Sequence, residues 1–229
     1  MAKSRSWGIT GNQLKLIALV LMTLDHVGVF LLPQFPILRI VGRLAMPIFA
    51  YMLAEGCRHT RSKGKYLLRV ALAAVLTQLV QYYMAGSLYQ TTLVTFSFSL
   101  VLVITLEHAR KNGGLSWLLL LGIGFGIWFV CEMLGDYVPG FGVDYDFPGV
   151  LLPVLISFGR DRLARFWLTA GGLALLCWFY GGVQWYAMAA LVLLAFYSGR
   201  RGKGKLKWLF YLYFPAHLAV IYLLQNYLN

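Results

Sequence analysis

Apolar residues run through this chain in blocks of up to about twenty, separated by short polar clusters. Roughly 20 apolar residues match a ~30 Å hydrocarbon core at ~1.5 Å per helical residue. The pattern predicts nine helices, over 13–33, 37–57, 66–84, 92–109, 114–134, 147–159, 164–180, 183–198 and 207–228. The sixth, 147–159, is short for a crossing. It opens on Phe147-Pro148-Gly149 and contains Pro153, so it reads as tilted, broken or re-entrant, which is tolerated only against protein or water. The fold class is an all-α polytopic integral membrane protein with about nine transmembrane helices, forming a single domain over 1–229. The longest stretch between blocks is 135–146, GDYVPGFGVDYD, and no repeat of fixed period is visible.

Composition supports the membrane assignment. The chain is 60% hydrophobic and 12% charged, with a mean hydropathy of +0.71. A water-soluble domain of this length cannot hide that much apolar surface. The formal net charge of +12 would suit nucleic acid, but a positive-inside membrane protein explains it better, and no nucleic-acid partner is expected. Place the N-terminus in the cytoplasm. The cytoplasmic connections then hold Lys3, Arg5 and Lys15; Arg58, Arg61, Lys63, Lys65 and Arg69; Arg110 and Lys111; Arg160, Arg162 and Arg165; and Arg200, Arg201, Lys203, Lys205 and Lys207. Of the 20 basic residues only Arg39 and Arg43 are left over, and the opposite connections carry Asp136, Asp144 and Asp146. The alternation predicts an odd number of spans, N-in and C-out. The first apolar block is too long for a signal peptide and lacks a small-residue cleavage site. Cys57, Cys131 and Cys177 form no CxxC pair and read as small core residues, with no metal site. Gly122-x-Gly124-x-Gly126 reads as a close helix-packing stripe. Trp117, Trp128, Phe129, Trp167, Trp178, Trp185 and Trp208 read as interfacial belts.

Against this background the polar residues inside the apolar blocks carry the chemistry. Asp25 and His26 are adjacent within LKLIALVLMTLDHVGVFLL. A carboxylate near the bilayer middle costs at least ~2.5–3.5 kcal/mol and marks a site by default. Asp25 lies roughly 18 Å from the cytoplasmic start of its helix, and Arg43 roughly 9 Å below the outer boundary, so their depths match. Arg39 and Arg43 are four apart and share a helix face. His217 lies roughly 15 Å into the last helix, in FYLYFPAHL, one turn after Tyr213 and two residues after the bend expected at Pro215. Two histidines, a carboxylate and two guanidiniums can thus converge. Asp25 and Arg43 could equally form a structural ion pair. A proton-coupled transporter relay and a scaffold held by interhelical polar contacts stay open too. Glu55 at a cytoplasmic helix end is followed directly by the basic run 58–65, while Glu107-His108 fits interfacial solvation. Phosphate-loop, dinucleotide, zinc-protease, nucleophile-elbow and CxxC signatures are absent.

Four segments resemble the TraX family, the F-pilin acetylation proteins of bacterial conjugation. They are LKLIALVLMTLDHVGVFLLP; ILRIVGRLAMPIFAYMLAEGCRHTRSKGKYLLR, with Gly42-Arg43, Pro47-x-Phe49 and Glu55-Gly56; KWLFYLYFPAHL near the C-terminus; and, more weakly, DYDFPGVLLP from Asp144. Two departures stand out. Thr91-Thr92 replaces an Asn the family usually shows, and Asp146, Phe147 and Pro148 interrupt its acidic-Tyr-Gly motif. The resemblance implies a multi-pass enzyme of the bacterial cytoplasmic (inner) membrane. It would transfer acetyl from acetyl-CoA to the N-terminal amine of a pilin-like peptide or another amine acceptor. On that reading His26, Asp25, Arg43 and His217 are the catalytic candidates, with His26 oriented by Asp25 as base and Arg43 stabilising the oxyanion. Arg58, Arg61, Lys63, Arg69 and Glu55 are candidates for holding the coenzyme. Arg39, Tyr213, Asp144 and Tyr145 are candidates for the acceptor. The lipid bilayer is a partner, and the sequence leaves room for a homo-oligomer.

Overall fold

The computed structural model describes residues 8–204 and 206–228. Its helices are α1 (Gly11–Phe30), α2 (Pro36–Gly42), α3 (Ala45–His59), α4 (Lys63–Ala85), α5 (Thr92–Asn112), α6 (Leu115–Glu132), α7 (Leu134–Tyr137), α8 (Asp146–Ser157), α9 (Arg162–Tyr180), α10 (Ala190–Ala195) and α11 (Lys207–Leu228). A 3-10 helix, Gly182–Ala189, runs into α10. Two short strands, β1 (Tyr89–Gln90) and β2 (Gly142–Val143), pair in parallel. The protein is an all-α membrane protein, with seven helices among the described residues long and apolar enough to cross a bilayer. Asp146–Ser157 and Gly182–Ala195 are shorter.

Local chemistry explains the boundaries. Thr10 and Gln13 form a reciprocal capping box that starts α1. The predicted 37–57 helix is interrupted at Arg43-Leu44, between α2 and α3. Pro47 has no N–H for the carbonyl of Arg43 and its ring crowds that oxygen, so the helix breaks one turn earlier. The predicted helix 183–198 is also corrected. Gly181 and Gly182 take left-handed φ values of 60° and 48° and end α9. The chain resumes as a 3-10 helix, whose ~2.0 Å rise lets 14 residues reach roughly 25 Å. The short segment expected over 147–159 is one helix, α8, packed among α3, α5, α6 and α9. That enclosure by protein accommodates both its length and Pro153.

Helices α3 and α5 are the most enclosed of the long ones. The hydroxyls of α5 make this feasible: Ser97, Ser99 and Thr105 donate to carbonyls one turn back, and Ser99 also reaches the Val150 carbonyl at 2.8 Å. Helices α4, α6, α9 and α11 turn leucines, valines and aromatics outward, and Trp117, Trp128, Trp167, Trp178, Trp185 and Trp208 are all exposed. The glycine stripe of α6 corrects another expectation. A Cβ at Gly122 or Gly126 would meet nothing within 4 Å, and at Gly124 only Leu102 at 4.0 Å. No close helix contact uses these glycines, because α6 lies at the rim of the bundle. The three cysteines are buried and unbridged.

The polar contacts sort into two ends. At the basic end, Arg58 donates to the Arg160 carbonyl, Arg162 to the Tyr197 carbonyl, Asn12 to the Lys203 carbonyl, and Lys63 pairs with Glu107. At the other end, Glu132 accepts from the Phe147 backbone, Asp146 from Tyr180, and Asp144 pairs with Thr92. Lys3, Arg5 and Lys205 lie outside the described residues, as does the side chain of Lys207.

Candidate functional site

Asp25 is the hub of the polar cluster. Arg43 Nη2 donates to both its carboxylate oxygens, at 2.7 and 2.6 Å, and Arg39 Nη1 to one, at 3.1 Å. Arg39 and Arg43 stay one helical turn apart, with the Arg43 N–H on the Arg39 carbonyl at 3.1 Å, so both reach one carboxylate. Gly42 makes room for it. A Cβ there would sit 2.3 Å from the Asp25 Cβ. Arg43 also donates from Nη1 to the Tyr145 hydroxyl at 3.2 Å. Its Nε is buried without a hydrogen-bond partner among the described residues.

Tyr145 arrives by a strained route. Tyr145 and Asp146 have φ values of 60° and 42°, a region few side chains favour. Gly149 permits the fold-back, since a Cβ there would lie 2.3 Å from the Tyr145 Cβ. Strained backbone of this kind concentrates at functional sites. The β1–β2 pairing sets Asp144 beside Thr92, with its N–H on the Gln90 carbonyl at 2.9 Å. Burial pushes the Asp144 carboxyl up to about 6, against the Thr92 hydroxyl and Arg43, which hold it down.

His26 is oriented by His217, not by Asp25. Adjacent helical residues point ~100° apart, and the Asp25 carboxylate is taken up by two arginines. His26 Nδ1 lies 3.0 Å from His217 Nε2, and His217 Nδ1 lies 2.9 Å from the Tyr213 carbonyl. A carbonyl only accepts, so neutral His217 carries its proton on Nδ1 and presents a lone pair at Nε2. His26 then donates from Nδ1, and its Nε2 is the lone pair left for a substrate. The Tyr213 ring stacks on His217, and its hydroxyl meets Thr23 at 2.7 Å.

The cluster lines the smaller of two cavities that share part of their walls. The smaller, about 240 Å³, is lined by Asp25, His26, Arg39, Arg43, Asp144, Tyr145 and His217. The larger, about 750 Å³, is lined at the basic end by Lys15, Glu55, His59, Arg61, Arg69 and Arg201. Arg61 and Arg201 are exposed, so it opens to water there. Glu55 is buried, 3.1 Å from His59 Nε2 and 3.4 Å from Arg165 Nε. Of the coenzyme candidates, Glu55, Arg61 and Arg69 line this cavity, while Arg58 and Lys63 are engaged with the Arg160 carbonyl and Glu107. Of the acceptor candidates, Arg39, Asp144 and Tyr145 line the smaller cavity, and Tyr213 acts behind His217. Lys15 and Arg201 also line the larger cavity, and the sequence does not single them out. Lys15 falls near the cytoplasmic start of the first block, where it reads as one more topology-setting cation. Arg201 is one cation in a run, with nothing to single it out.

The family model for the TraX protein matches residues 10–225. The chain belongs to the TraX family. It is 28% identical, over 95% of this chain and 96% of the other, to a protein of Dichelobacter nodosus described as "Probable fimbrial assembly protein FimC, serogroup H1". A 38-residue stretch is 50% identical to an uncharacterized protein of Rickettsia prowazekii (strain Madrid E), covering 17% of this TraX-family chain and 15% of that one. No solved structure matches.

Proposed function

We propose that this protein is a membrane-embedded N-acetyltransferase. It moves an acetyl group from cytoplasmic acetyl-CoA to an amine, the N-terminus of a pilin-like peptide or another peptide or small acceptor. The observation that carries the reading is the pair of adjoining cavities: one basic and open to water, the other holding the His26–His217 pair. Lys15, Arg61, Arg69 and Arg201 supply cations for the phosphates of the coenzyme, and a guanidinium can hold one phosphate through two parallel N–H bonds. The basic end then faces the cytoplasm of a bacterial inner membrane, with the N-terminus inside.

In this account the acceptor nitrogen attacks the thioester carbonyl carbon in the smaller cavity. His26 Nε2 takes the amine proton as the C–N bond forms, and His217 stabilises the resulting imidazolium through the 3.0 Å contact. The unpartnered Arg43 Nε–H is available for the developing oxyanion. The C–S bond then breaks, and the thiolate of the coenzyme receives the proton from His26. Asp25 holds Arg43 in place. The family membership and the fimbrial name of the D. nodosus relative favour a pilus-related acceptor. That name also favours a second reading, an assembly protein without chemistry.

Coenzyme binding separates the two. Detergent-purified protein should gain thermal stability with coenzyme A, by ~2.7 kcal/mol at 100 times its Kd. Replacing Arg69 and Arg201 with Gln should weaken the effect, most clearly at low salt. No shift at millimolar coenzyme would favour the assembly reading.

A further inference from the structure

Four residues belong to the walls of both cavities: Phe49, Leu93, Phe96 and Phe214. They come from three elements, α3, α5 and α11, and form an apolar partition between the basic chamber and the histidine chamber. The Phe49 and Phe214 rings pack with centroids 5.3 Å apart, tilted by 58°. Phe214 also sets its ring edge-on to His217, with centroids 6.2 Å apart. Phe96 and Leu93 are buried behind them. Phe49 is only partly buried, so it is the member with space beside it.

We propose that this aromatic partition selects the acyl chain, admitting acetyl and rejecting longer acyl groups; the inference rests on the acetyltransferase reading. An acyl-thioester held by its phosphates at the basic end must carry its carbonyl past Phe49 and Phe214 to reach His26. Whatever extends beyond the carbonyl then enters a chamber of about 240 Å³ whose lining includes Asp25, Asp144, Arg39 and Arg43. Each further methylene would forfeit what it gains from apolar burial elsewhere, and would crowd the acceptor. An aromatic partition discriminates at the scale of ten- to two-hundred-fold per methylene. Acetyl, with a single methyl beyond its carbonyl, escapes both penalties. Removing the Phe49 ring would widen the way between the chambers into an apolar passage in which a longer chain can lie.

The experiment compares acetyl-CoA, butanoyl-CoA and hexanoyl-CoA as donors to one peptide amine, with purified wild type, Phe49→Ala and Phe49→Leu. Wild type should use acetyl-CoA best. Phe49→Ala should raise the butanoyl-to-acetyl ratio of kcat/KM by at least about tenfold, with Phe49→Leu intermediate. Thermal stabilisation by coenzyme A reports whether each variant is folded, and Phe49→Leu, which keeps an apolar side chain, carries the test if Phe49→Ala does not fold. An unchanged ratio in a folded variant, with wild type active on acetyl-CoA, overturns the selector and leaves the acetyltransferase reading intact. A wild type that uses all three donors equally also overturns the selector alone. A wild type that neither binds the coenzyme nor transfers any acyl group overturns the acetyltransferase reading, and the selector with it.

Discussion

At the scale of single residues, cost is what made the site legible. Asp25, His26 and Arg43 stand out in the sequence because charge and imidazole are expensive inside apolar blocks, and the structure gathers all three around one chamber. The pairing inside the cluster was only half legible: matched depths left the Asp25–Arg43 ion pair open, and the structure has it, but nothing tied His26 to His217. Sequence adjacency suggested that Asp25 orients His26, yet the carboxylate turns to Arg43 and Arg39 and the imidazole turns to a partner 191 positions away. Helical direction decides this, and a linear sequence does not display it. Asp144 yields a prediction at this scale. Its carboxyl is pushed up to about 6, chiefly by burial, from a usual value near 3.9. A raised carboxyl favours the neutral folded form, so its contribution to stability is present below about pH 4 and is lost as pH rises through 6. Asp144→Asn mimics the neutral form and keeps an acceptor for the Thr92 hydroxyl. Its thermal stability in detergent should therefore exceed that of wild type increasingly from pH 5 to pH 7. Parallel pH profiles for the two proteins would show that Asp144 does not titrate in this window.

At the scale of elements, hydropathy located the seven long and two shorter apolar helices of the described residues, and proline and glycine explain where blocks and elements part company. Pro47 breaks the second block at Arg43-Leu44, just past the helical turn that delivers two arginines to one carboxylate. The shortness of α8 was visible, but not its reason, because enclosure by four neighbours is a tertiary property. The 3-10 stretch Gly182–Ala189 carried no signal in its hydropathy. Glycines show the same limit: Gly42 and Gly122 look alike in sequence, and only the neighbours distinguish them. Gly42→Ala would drive a Cβ into Asp25, 2.3 Å from its Cβ, whereas Gly122→Ala meets nothing within 4 Å. We expect Gly42→Ala to lose on the order of 1–3 kcal/mol through overpacking and Gly122→Ala to lose nothing. Thermal unfolding of the two variants in detergent checks this. Equal stability would mean that α1 and α2 do not pack as closely as the structure has them.

At the scale of the whole molecule, two chambers meet at an aromatic wall, the basic one at the charged end of the bundle and the histidine one deeper inside. The basic run after Glu55 pointed to the first chamber and intramembrane polar residues to the second. The wall was invisible in sequence, since Phe49, Phe96 and Phe214 read as ordinary core aromatics until two cavities are seen to share them. The central claim is that His26 takes the amine proton in an acetyl transfer fed from the basic end. The most direct measurement incubates purified protein, in lipid vesicles, with acetyl-CoA and a peptide bearing a free N-terminus, and follows N-acetylation by mass spectrometry. Wild type should acetylate the peptide. His26→Ala should lose roughly 10²–10⁴-fold in rate while still being stabilised by coenzyme A, and His217→Ala should lose less. Full activity in His26→Ala, or no acetylation by a wild type that is folded and supplied with both substrates, would contradict the account.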